Sequence, residues 1–252
     1  MNAWIYRALI LLTLLAGGGS VHAGEVSVAV AANFIAPAQE IADAFSAQSG
    51  DDVILSSGAT GGLFAQISQG APYEVFLAAD AARPQLAIDQ GLAVAGSAFT
   101  YAVGRLALYD PAMRDGDGMA WLSAVGFAHL AIADPVSAPY GTAAFQALER
   151  LGLLEAVRPR LVTGQNISQA LQFVESGSAE LGMVALGQVL DRAEGSVWQV
   201  PETLYDLIRQ DAVLLTVGAD NPVASAFLAY LAGPEARAII VSHGYAEVAS
   251  GE

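Results

Sequence analysis

The hydrophobic pattern between residues 25 and 91 alternates between the two-residue period of a strand and the spacing of a helix. Val26, Val28 and Val30 recur at every second position, as in a strand, and Ile41 and Phe45 follow at helical spacing. The same change occurs twice more. Strands are predicted at 25–30, 53–56 and 75–78, and the helices that follow them end at 49, 69 and 90. This β-α-β-α-β-α order predicts a parallel sheet with crossover helices.

A second series of strands and helices follows from residue 101 onward. Strands are predicted at 101–108, 130–133, 161–162, 181–185 and 211–217, and helices at 143–151, 167–174, 222–231 and 235–243. The sequence contains no fixed-period repeat, and no Pro- or Ser-rich linker lies between the two series. The pattern therefore predicts two α/β lobes with short connections rather than two independent domains.

Residues 1–23 have the pattern of a cleavable signal peptide. One arginine precedes an apolar stretch at 8–16, and Val21 and Ala23 put small residues at the −3 and −1 positions of a cleavage site before Gly24. The stretch is short for a membrane span, which needs about 20 residues, although an uncleaved anchor is the alternative. The chain has no cysteine, which excludes a lipoprotein anchor. The mature protein is therefore expected to be exported and soluble in the periplasm.

The charge of the chain excludes several kinds of partner. Ten basic residues, all of them arginine, stand against 25 acidic ones, so the net charge is −15. Such a chain repels phosphate backbones and has no basic cluster, which excludes binding to nucleic acid or to anionic lipid. The absence of cysteine also excludes disulfides, thiolate catalysis and cysteine-ligated metals. An anion would have to be bound by neutral dipoles in a site shielded from the carboxylates.

Small or polar residues stand where strands pass into helices. They occur at Asn33 and at 57–60, 78–80, 140–142 and 166–167. In open parallel sheets, ligands bind beyond the carboxyl ends of the strands, where backbone N–H groups and helix N-termini can hold an anion. The residues alone leave two interpretations open: an oxyanion site, or a set of ordinary Gly/Ser loops and helix caps.

The sequence gives little support for catalysis. His22 belongs to the predicted signal peptide, and His129 and His243 are isolated, so neither is predicted to be a general base. The sequence contains no G-x-S-x-G elbow, no phosphate-binding G-x-x-x-x-G-K-[ST] loop and no H-E-x-x-H motif. The enzyme hypothesis that remains is an exported hydrolase with Asp80 or Asp134 as its base.

Seven stretches, in order along the chain, make it resemble the periplasmic molybdate-binding proteins of ABC transporters. They are 28–34 (VAVAANF), 56–67 (SSGATGGLFAQI), 70–80 (GAPYEVFLAAD), 130–135 (LAIADP), 139–141 (PYG), 181–184 (LGMV) and 230–236 (YLAGPEA). The resemblance covers nearly all of 24–245, and the stretch 70–80 is its most specific part.

The resemblance implies a type II periplasmic-binding-protein fold of the α/β class. Each lobe would be a mainly parallel sheet flanked by helices, with the ligand in the cleft between the lobes. Residues 24–100 plus 218–252 would form the first lobe and residues 101–217 the second. The chain would cross between the lobes twice, through the strands near 101–108 and 211–217.

Five ligand-binding residues follow from the resemblance, one position at a time. Asn33 corresponds to a Ser or Asn after the first strand, and Thr60 to a Ser in the glycine-rich loop; threonine keeps the hydroxyl donor. Ala79 corresponds to a backbone N–H donor at the end of the third strand. Tyr140 matches a position that is Ala in some members and Tyr in others. Ile167 matches a Val that donates its backbone N–H.

The chain departs from the family pattern at one position. Some members have a ligand-binding Tyr after the Leu-Gly-x-Val strand, where this chain has Ala185. Tyr140 is expected to supply the missing hydroxyl from across the cleft, as in the family's other subtype. Side-chain bonds to the anion are expected from Asn33, Thr60 and Tyr140, and backbone bonds from Ala79 and Ile167.

The resemblance also implies the function and its partners. The protein would capture molybdate, and also tungstate, and deliver it to an inner-membrane ABC permease. It would be a monomer that is not an enzyme, binds no cofactor and no nucleic acid, and holds molybdenum only as the oxyanion. Sulfate or another tetrahedral oxyanion is the alternative ligand, because such anions share charge and shape and differ mainly in size.

Overall fold

The computed structural model describes residues 23–112 and 118–246, and in these ranges ten strands form two five-stranded sheets. The strands are β1 (Glu25–Ala31), β2 (Asp52–Gly58), β3 (Val75–Leu77), β4 (Phe99–Gly104), β5 (Leu106–Asp110), β6 (Leu130–Ala133), β7 (Leu161–Gly164), β8 (Leu181–Ala185), β9 (Ser196–Gln199) and β10 (Ile208–Leu214). The expected α/β architecture with two lobes is confirmed. The predicted signal peptide lies outside the described residues except for Ala23.

Helices cover the faces of both sheets. They are α1 (Ile35–Ser49), α2 (Thr60–Ser68), α3 (Ala82–Asp89), α4 (Gly118–Ala124), α5 (Pro139–Arg150), α6 (Leu154–Val157), α7 (Ile167–Glu175), α8 (Pro222–Leu231) and α9 (Pro234–Ser242). Among the helices of the described ranges, none alone is long and apolar enough for a membrane span; only α8 and α9 taken together pass that test, across a bend of 57°.

The first sheet has the strand order β2-β1-β3-β10-β4, and the second has β7-β6-β8-β5-β9. In the first sheet β1 pairs in parallel with β2 and β3, so the carboxyl ends of these strands lie at one edge. In the second sheet β6 pairs in parallel with β7 and β8. The strands that carry the chain between the lobes pair antiparallel: β10 with β3 and β4, and β5 with β8 and β9.

The crossings between lobes differ from the predicted boundaries at 101 and 217. The chain leaves the first sheet between β4 and β5, around Arg105, and returns between β9 and β10. The predicted strand 101–108 is thus two strands in different sheets, and β10 lies in the first sheet. Ala102 and Ala212 are buried in the first lobe's core. An apolar pattern shows that a strand is buried but not in which of two cores, which explains the difference.

β1 is covered on both faces, which holds its carboxyl end in place. Val28 and Val30 pack on one face with Phe34 and Phe227, whereas Ala29 packs on the other face with Leu63. These residues are no more than 2% exposed. Burying a side chain of this size stabilises a fold by about 1.5–3 kcal/mol. The segment that follows β1 therefore starts from a rigid support.

Two helices begin earlier than predicted. α2 begins at Thr60, three residues before the start that the sequence predicts at position 63. α5 begins at Pro139, four residues before the predicted start at position 143. The expected glycine-rich loop is thus the first turn of α2. Proline suits the start of α5, since the first N–H groups of a helix have no partner within it. The shift places Thr60 and Tyr140 in first turns, where their own backbone N–H groups are also free of intrahelical bonds.

Candidate functional site

A small cavity lies between the two lobes, at the carboxyl ends of their parallel strands. Its free volume, measured for the centre of a water-sized sphere, is about 10 Å³, and it is lined by residues 31–33, 58–60, 79, 138–140 and 166–167. The first three groups follow β1, β2 and β3 of the first lobe, and the last two follow β6 and β7 of the second. This is the location at which open parallel sheets bind ligands.

All five residues predicted to bind the ligand line this one cavity. Asn33, Thr60 and Ala79 come from the first lobe, and Tyr140 and Ile167 come from the second. All five are nearly inaccessible, with exposed fractions of 1–4%. The structure therefore brings together residues that are up to 134 positions apart, counted from 33 to 167. Their role as ligand donors stays a prediction.

The cavity has no charged side chain among its lining residues. Its polar groups are instead the starts of helical turns: a 3-10 turn at Ala32–Phe34, α2, α5 and α7. Each such start presents backbone N–H groups and the positive end of a helix dipole. Four of them around one space make a site for an anion that does not depend on arginine or lysine.

Thr60 is held by the end of β3. The backbone N–H of Ala79 donates a hydrogen bond of 3.0 Å to the Thr60 hydroxyl oxygen. No acceptor for the Thr60 hydroxyl proton is found among the described residues, so that proton is available to the cavity. The N–H of Ala79, expected to reach the ligand directly, is thus already bonded to Thr60.

The hydroxyl of Tyr140 is likewise held by a hydrogen bond, from Gln210 on the side away from the cavity. Its hydroxyl oxygen accepts a hydrogen bond of 3.3 Å from Nε2 of Gln210, and the described part of the chain offers no acceptor for its proton. Burial raises the pKa of Tyr140 well above that of a free tyrosine, and the nearby hydroxyls of Tyr245 and Tyr101 act in the same direction. The hydroxyl therefore stays protonated and remains a donor at any physiological pH.

The side chain of Asn33, expected to bond to the ligand, donates to other residues of the protein in this structure. Its Nδ2 donates to Oε1 of Gln210 at 2.9 Å and to the hydroxyl of Tyr245 at 3.1 Å, which uses both hydrogens of the amide. Phe34, the next residue, packs edge-on against the ring of Tyr245 at 5.3 Å between centroids. What Asn33 offers the cavity is its backbone N–H, the second of the 3-10 turn.

Ile167 is the last of the five expected residues, and Ala185 is the position at which the chain departs from the family pattern. Ala185 ends β8, is fully buried and does not line the cavity. Ile167 is the first residue of α7, and the Asn166 side chain caps that helix by accepting from the N–H of Gln169 at 3.0 Å. The cap satisfies a later N–H of the turn and leaves the N–H of Ile167 without an intrahelical partner.

Within the described ranges, three hydrogen bonds besides that of Gln210 and Tyr140 join the lobes beside the cavity. The N–H of Gly61 donates to the carbonyl of Ser137 at 2.8 Å. Arg83, ion-paired with Asp80, donates to the carbonyl of Val136 at 3.1 Å. On the other side, the Ser168 hydroxyl lies 3.2 Å from the carbonyl of Ala32. The lobes are therefore in direct contact around the site, in a closed arrangement.

The two aspartates of the hydrolase hypothesis have structural partners. Asp80 accepts from the N–H of Arg83 at 2.9 Å, and Asp134 accepts from the N–H of Val136 at 3.0 Å and the Ser137 hydroxyl at 2.8 Å. Neither lines the cavity. Within the described residues no three His, Cys, Asp or Glu side chains are arranged to hold a metal ion. Both carboxylates thus order loops at the rim of the cleft, outside this cavity, and Asp80 also lines a second, more open pocket.

The sequence reasoning missed Gln210. This residue is fully buried and contacts both Asn33 and Tyr140. A signal was present: Ile208 and Gln210 occupy inward positions of β10, so a glutamine stands where the two-residue period calls for an apolar side chain. A buried amide needs partners, and its partners prove to be the residues of the site.

The family model of the bacterial extracellular solute-binding proteins matches residues 26–246 of the chain. The molybdate-binding protein ModA of Rhodobacter capsulatus is 50% identical over 225 residues, which are 88% of this chain and 88% of that protein. The molybdate-binding protein ModA of Azotobacter vinelandii is 52% identical over 231 residues, covering 90% of this chain and 91% of that protein.

A solved structure supports the same similarity in three dimensions. The periplasmic molybdate-binding protein of Azotobacter vinelandii superimposes with a TM-score of 0.84 at 39% identity, covering 88% of this chain and 99% of that one. The resemblance on which the five site residues rest is thus confirmed. It extends over both lobes and over every segment that lines the cavity.

Proposed function

Because the chain belongs to the bacterial extracellular solute-binding protein family, we propose that it captures molybdate between its lobes and delivers it to the permease of an ABC transporter. One observation carries the proposal. The chain is about half identical to molybdate-binding proteins over most of its length, and the five residues that the resemblance predicts as ligand-binding line one cavity without a charged side chain.

The cavity chemistry suits a fully ionised oxyanion. The Thr60 and Tyr140 hydroxyls and the N–H groups of Asn33 and Ile167 are the proposed donors, and Ala79 acts by orienting the Thr60 hydroxyl. A hydrogen bond to an ionised group contributes about 1.5–3 kcal/mol. Several such bonds from preorganised neutral donors allow tight binding after the entropic cost of closing the cleft is subtracted.

We base the proposed preference among oxyanions on the size of the anion. Molybdate and tungstate are nearly equal in size, so we propose that both bind. Sulfate has the same charge and shape but is smaller, and donors fixed for a larger anion would leave its oxygens beyond good hydrogen-bond distance. Sulfate is therefore the second candidate, and the names of the relatives favour molybdate.

The remaining parts of the proposal concern where and with what the protein acts. We propose that it is exported, cleaved before Gly24, and works as a monomer in the periplasm beside its inner-membrane permease. The signal-peptide pattern of 1–23 supports export. We propose no catalysis, because the relatives are binding proteins and both candidate aspartates are engaged at the rim.

Isothermal titration of the mature protein tests the ligand. Molybdate, tungstate, sulfate and phosphate are titrated separately, and tight one-to-one binding is expected for the first two only. Sulfate binding as tight as molybdate would replace the proposed ligand, and no heat from any oxyanion would remove the proposed function. A ligand that binds only the folded, closed protein also raises the melting temperature of the protein by mass action.

A further inference from the structure

A buried glutamine behind the cavity contacts the binding residues of both lobes. Gln210 lies on β10, is fully buried, and does not line the cavity. We infer that Gln210 is the positioning residue of the anion site, which sets Asn33 of the first lobe and Tyr140 of the second in one hydrogen-bonded arrangement. This inference rests on the proposed function, since it concerns the same cavity.

On the side of the first lobe, Gln210 fixes the turn that carries Asn33. Its Oε1 accepts from Nδ2 of Asn33 at 2.9 Å, while the hydroxyl of Tyr245 donates to the Asn33 carbonyl at 2.8 Å. The side chain and the carbonyl of Asn33 are thus both held from behind. These two bonds restrain the turn at Asn33, which lines the cavity.

On the side of the second lobe, Gln210 fixes the hydroxyl of Tyr140. Its Nε2 donates to that hydroxyl at 3.3 Å. Gly104 makes the approach possible, because a Cβ at this position would lie 2.2 Å from the Tyr140 hydroxyl and 2.6 Å from Nε2 of Gln210. Both groups therefore lie against bare backbone at the last residue of β4, directly before the chain crosses to the second lobe.

The hydroxyl of Tyr101 is a third neighbour of the Gln210 amide. The hydroxyl of Tyr101 lies 3.1 Å from Oε1 of Gln210 and 3.0 Å from the carbonyl of Ala78. With Asn33 also donating to Oε1, a flipped amide would set its NH₂ against the NH₂ of Asn33. The orientation with Oε1 toward Asn33 leaves Nε2 directed at Tyr140.

The position needs a side chain that accepts and donates at once. Methionine has a similar length but can do neither well. Ionised glutamate accepts but cannot donate to Tyr140, and it adds a buried negative charge beside the anion. Protonated glutamate both accepts and donates, so it reproduces the pattern of glutamine. The affinity of Gln210→Glu should therefore depend on pH in a way that the wild type does not.

The neighbours of Gln210 do not titrate in the range of the test. Tyr101, Tyr140 and Tyr245 contact it or its partners, and burial raises the pKa of each. The carboxylates of Asp80 and Asp211 lie close enough to the network to raise the pKa of Tyr101 as well. Both oppose ionisation of a glutamate at 210, as does burial itself, and this moves its titration toward neutral pH.

Molybdate titrations of the wild type, Gln210→Glu and Gln210→Met between pH 5.5 and pH 8.5 test the inference. The wild type is expected to bind with constant affinity. Gln210→Glu should bind about tenfold or more weakly at high pH and recover as the pH falls, and Gln210→Met should be weak throughout. Gln199→Glu, which adds the same charge at an exposed position of β9, is the matched control and should follow the wild type.

Several outcomes would overturn the inference. Wild-type affinity in Gln210→Met, or a Gln210→Glu affinity that does not change with pH, would show that the amide positions nothing. If both variants fail to fold, Tyr101→Phe replaces them: it removes one support of Gln210 and should weaken binding severalfold, whereas unchanged affinity contradicts the inference. If the wild type binds no oxyanion, the proposed function fails first, and that result is distinct from the others.

Discussion

The N–H of Gly61 and the carbonyl oxygen of Ser137 lie 2.8 Å apart and join the two lobes across the cleft. A Cβ on Gly61 would lie 3.0 Å from that oxygen, 3.1 Å from the Ser137 Cα and 3.0 Å from Nη2 of Arg83. The lobes therefore meet backbone to backbone at this point, and a side chain on Gly61 would keep them apart.

Gly61→Ala should weaken molybdate binding by about 3- to 10-fold, because it disturbs one cross-cleft hydrogen bond of about 0.5–1.5 kcal/mol. Gly62→Ala is the matched control, since nothing lies within 4 Å of a Cβ there. It should leave affinity unchanged and stabilise α2 by about 0.5–1 kcal/mol. Titration calorimetry and thermal melts on both variants check this. Equal affinities in the two variants would contradict the role of the contact.

Thr60→Val should lose both affinity and stability. It removes the hydroxyl proton offered to the anion, at a cost of about 1.5–3 kcal/mol or one to two decades in Kd. It also leaves the buried N–H of Ala79 without its acceptor, which costs about 1–3 kcal/mol of unfolding free energy. Thr60→Ser keeps the hydroxyl and should restore both. A Val variant with normal affinity would place the site elsewhere.

Tyr140→Phe should weaken molybdate binding by about one to two decades, because Ala185 offers no substitute hydroxyl. Burial raises the pKa of Tyr140, so its proton is retained as pH rises and wild-type affinity should be constant from about pH 6 to pH 9. A wild-type affinity that falls over this range would mean that a donor is being lost.

Asp80→Asn, at the cleft rim, should bind molybdate like the wild type. A drastic loss of molybdate affinity in this variant would favour the hydrolase hypothesis.

Cleavage before Gly24 should create an ion pair. The backbone N–H of Gly24 donates to Oδ1 of Asp51 at 2.9 Å, so the new α-amino group of the mature chain would lie beside this carboxylate. Such a pair contributes about 0.2–1 kcal/mol and exists only while the amine is protonated, that is, below about pH 8. Asp51→Asn should therefore destabilise the mature protein more at pH 6 than at pH 9.5. N-terminal sequencing that finds Met1 retained contradicts the export proposal.

The fold and the position of the site were accessible from the sequence, because strands, helices and junction residues leave local signals. Thr60 and Tyr140 lie in junctions that the pattern marks as candidate sites, are assigned to the ligand by resemblance, and prove to line the cavity. The starts of α2 and α5 were placed too late, since glycine and proline usually mark loops but are also compatible with a helix's first turn. A local sequence pattern therefore cannot distinguish a glycine or proline in a loop from one in the first turn of a helix.

The hydrogen bonds inside the site were not accessible in the same way. The resemblance predicts that the Asn33 side-chain amide bonds to the ligand, and in the structure this amide donates to Gln210 and Tyr245, which lie 177 and 212 positions away. Residues this far apart in sequence come into contact only because β1, β10 and the segment after α9 pack together in the fold. No pattern within a short window contains that choice.

The uncharged cavity has a consequence for the molecule as a whole. Since no arginine or lysine lines the site, no cation there cancels the two negative charges of a bound molybdate. A loaded molecule therefore carries the full ligand charge in addition to its own and should migrate further toward the anode in a native gel. Loading becomes an electrophoretic property, readable without a label, and it adds to the repulsion that keeps acidic molecules of this kind apart in solution.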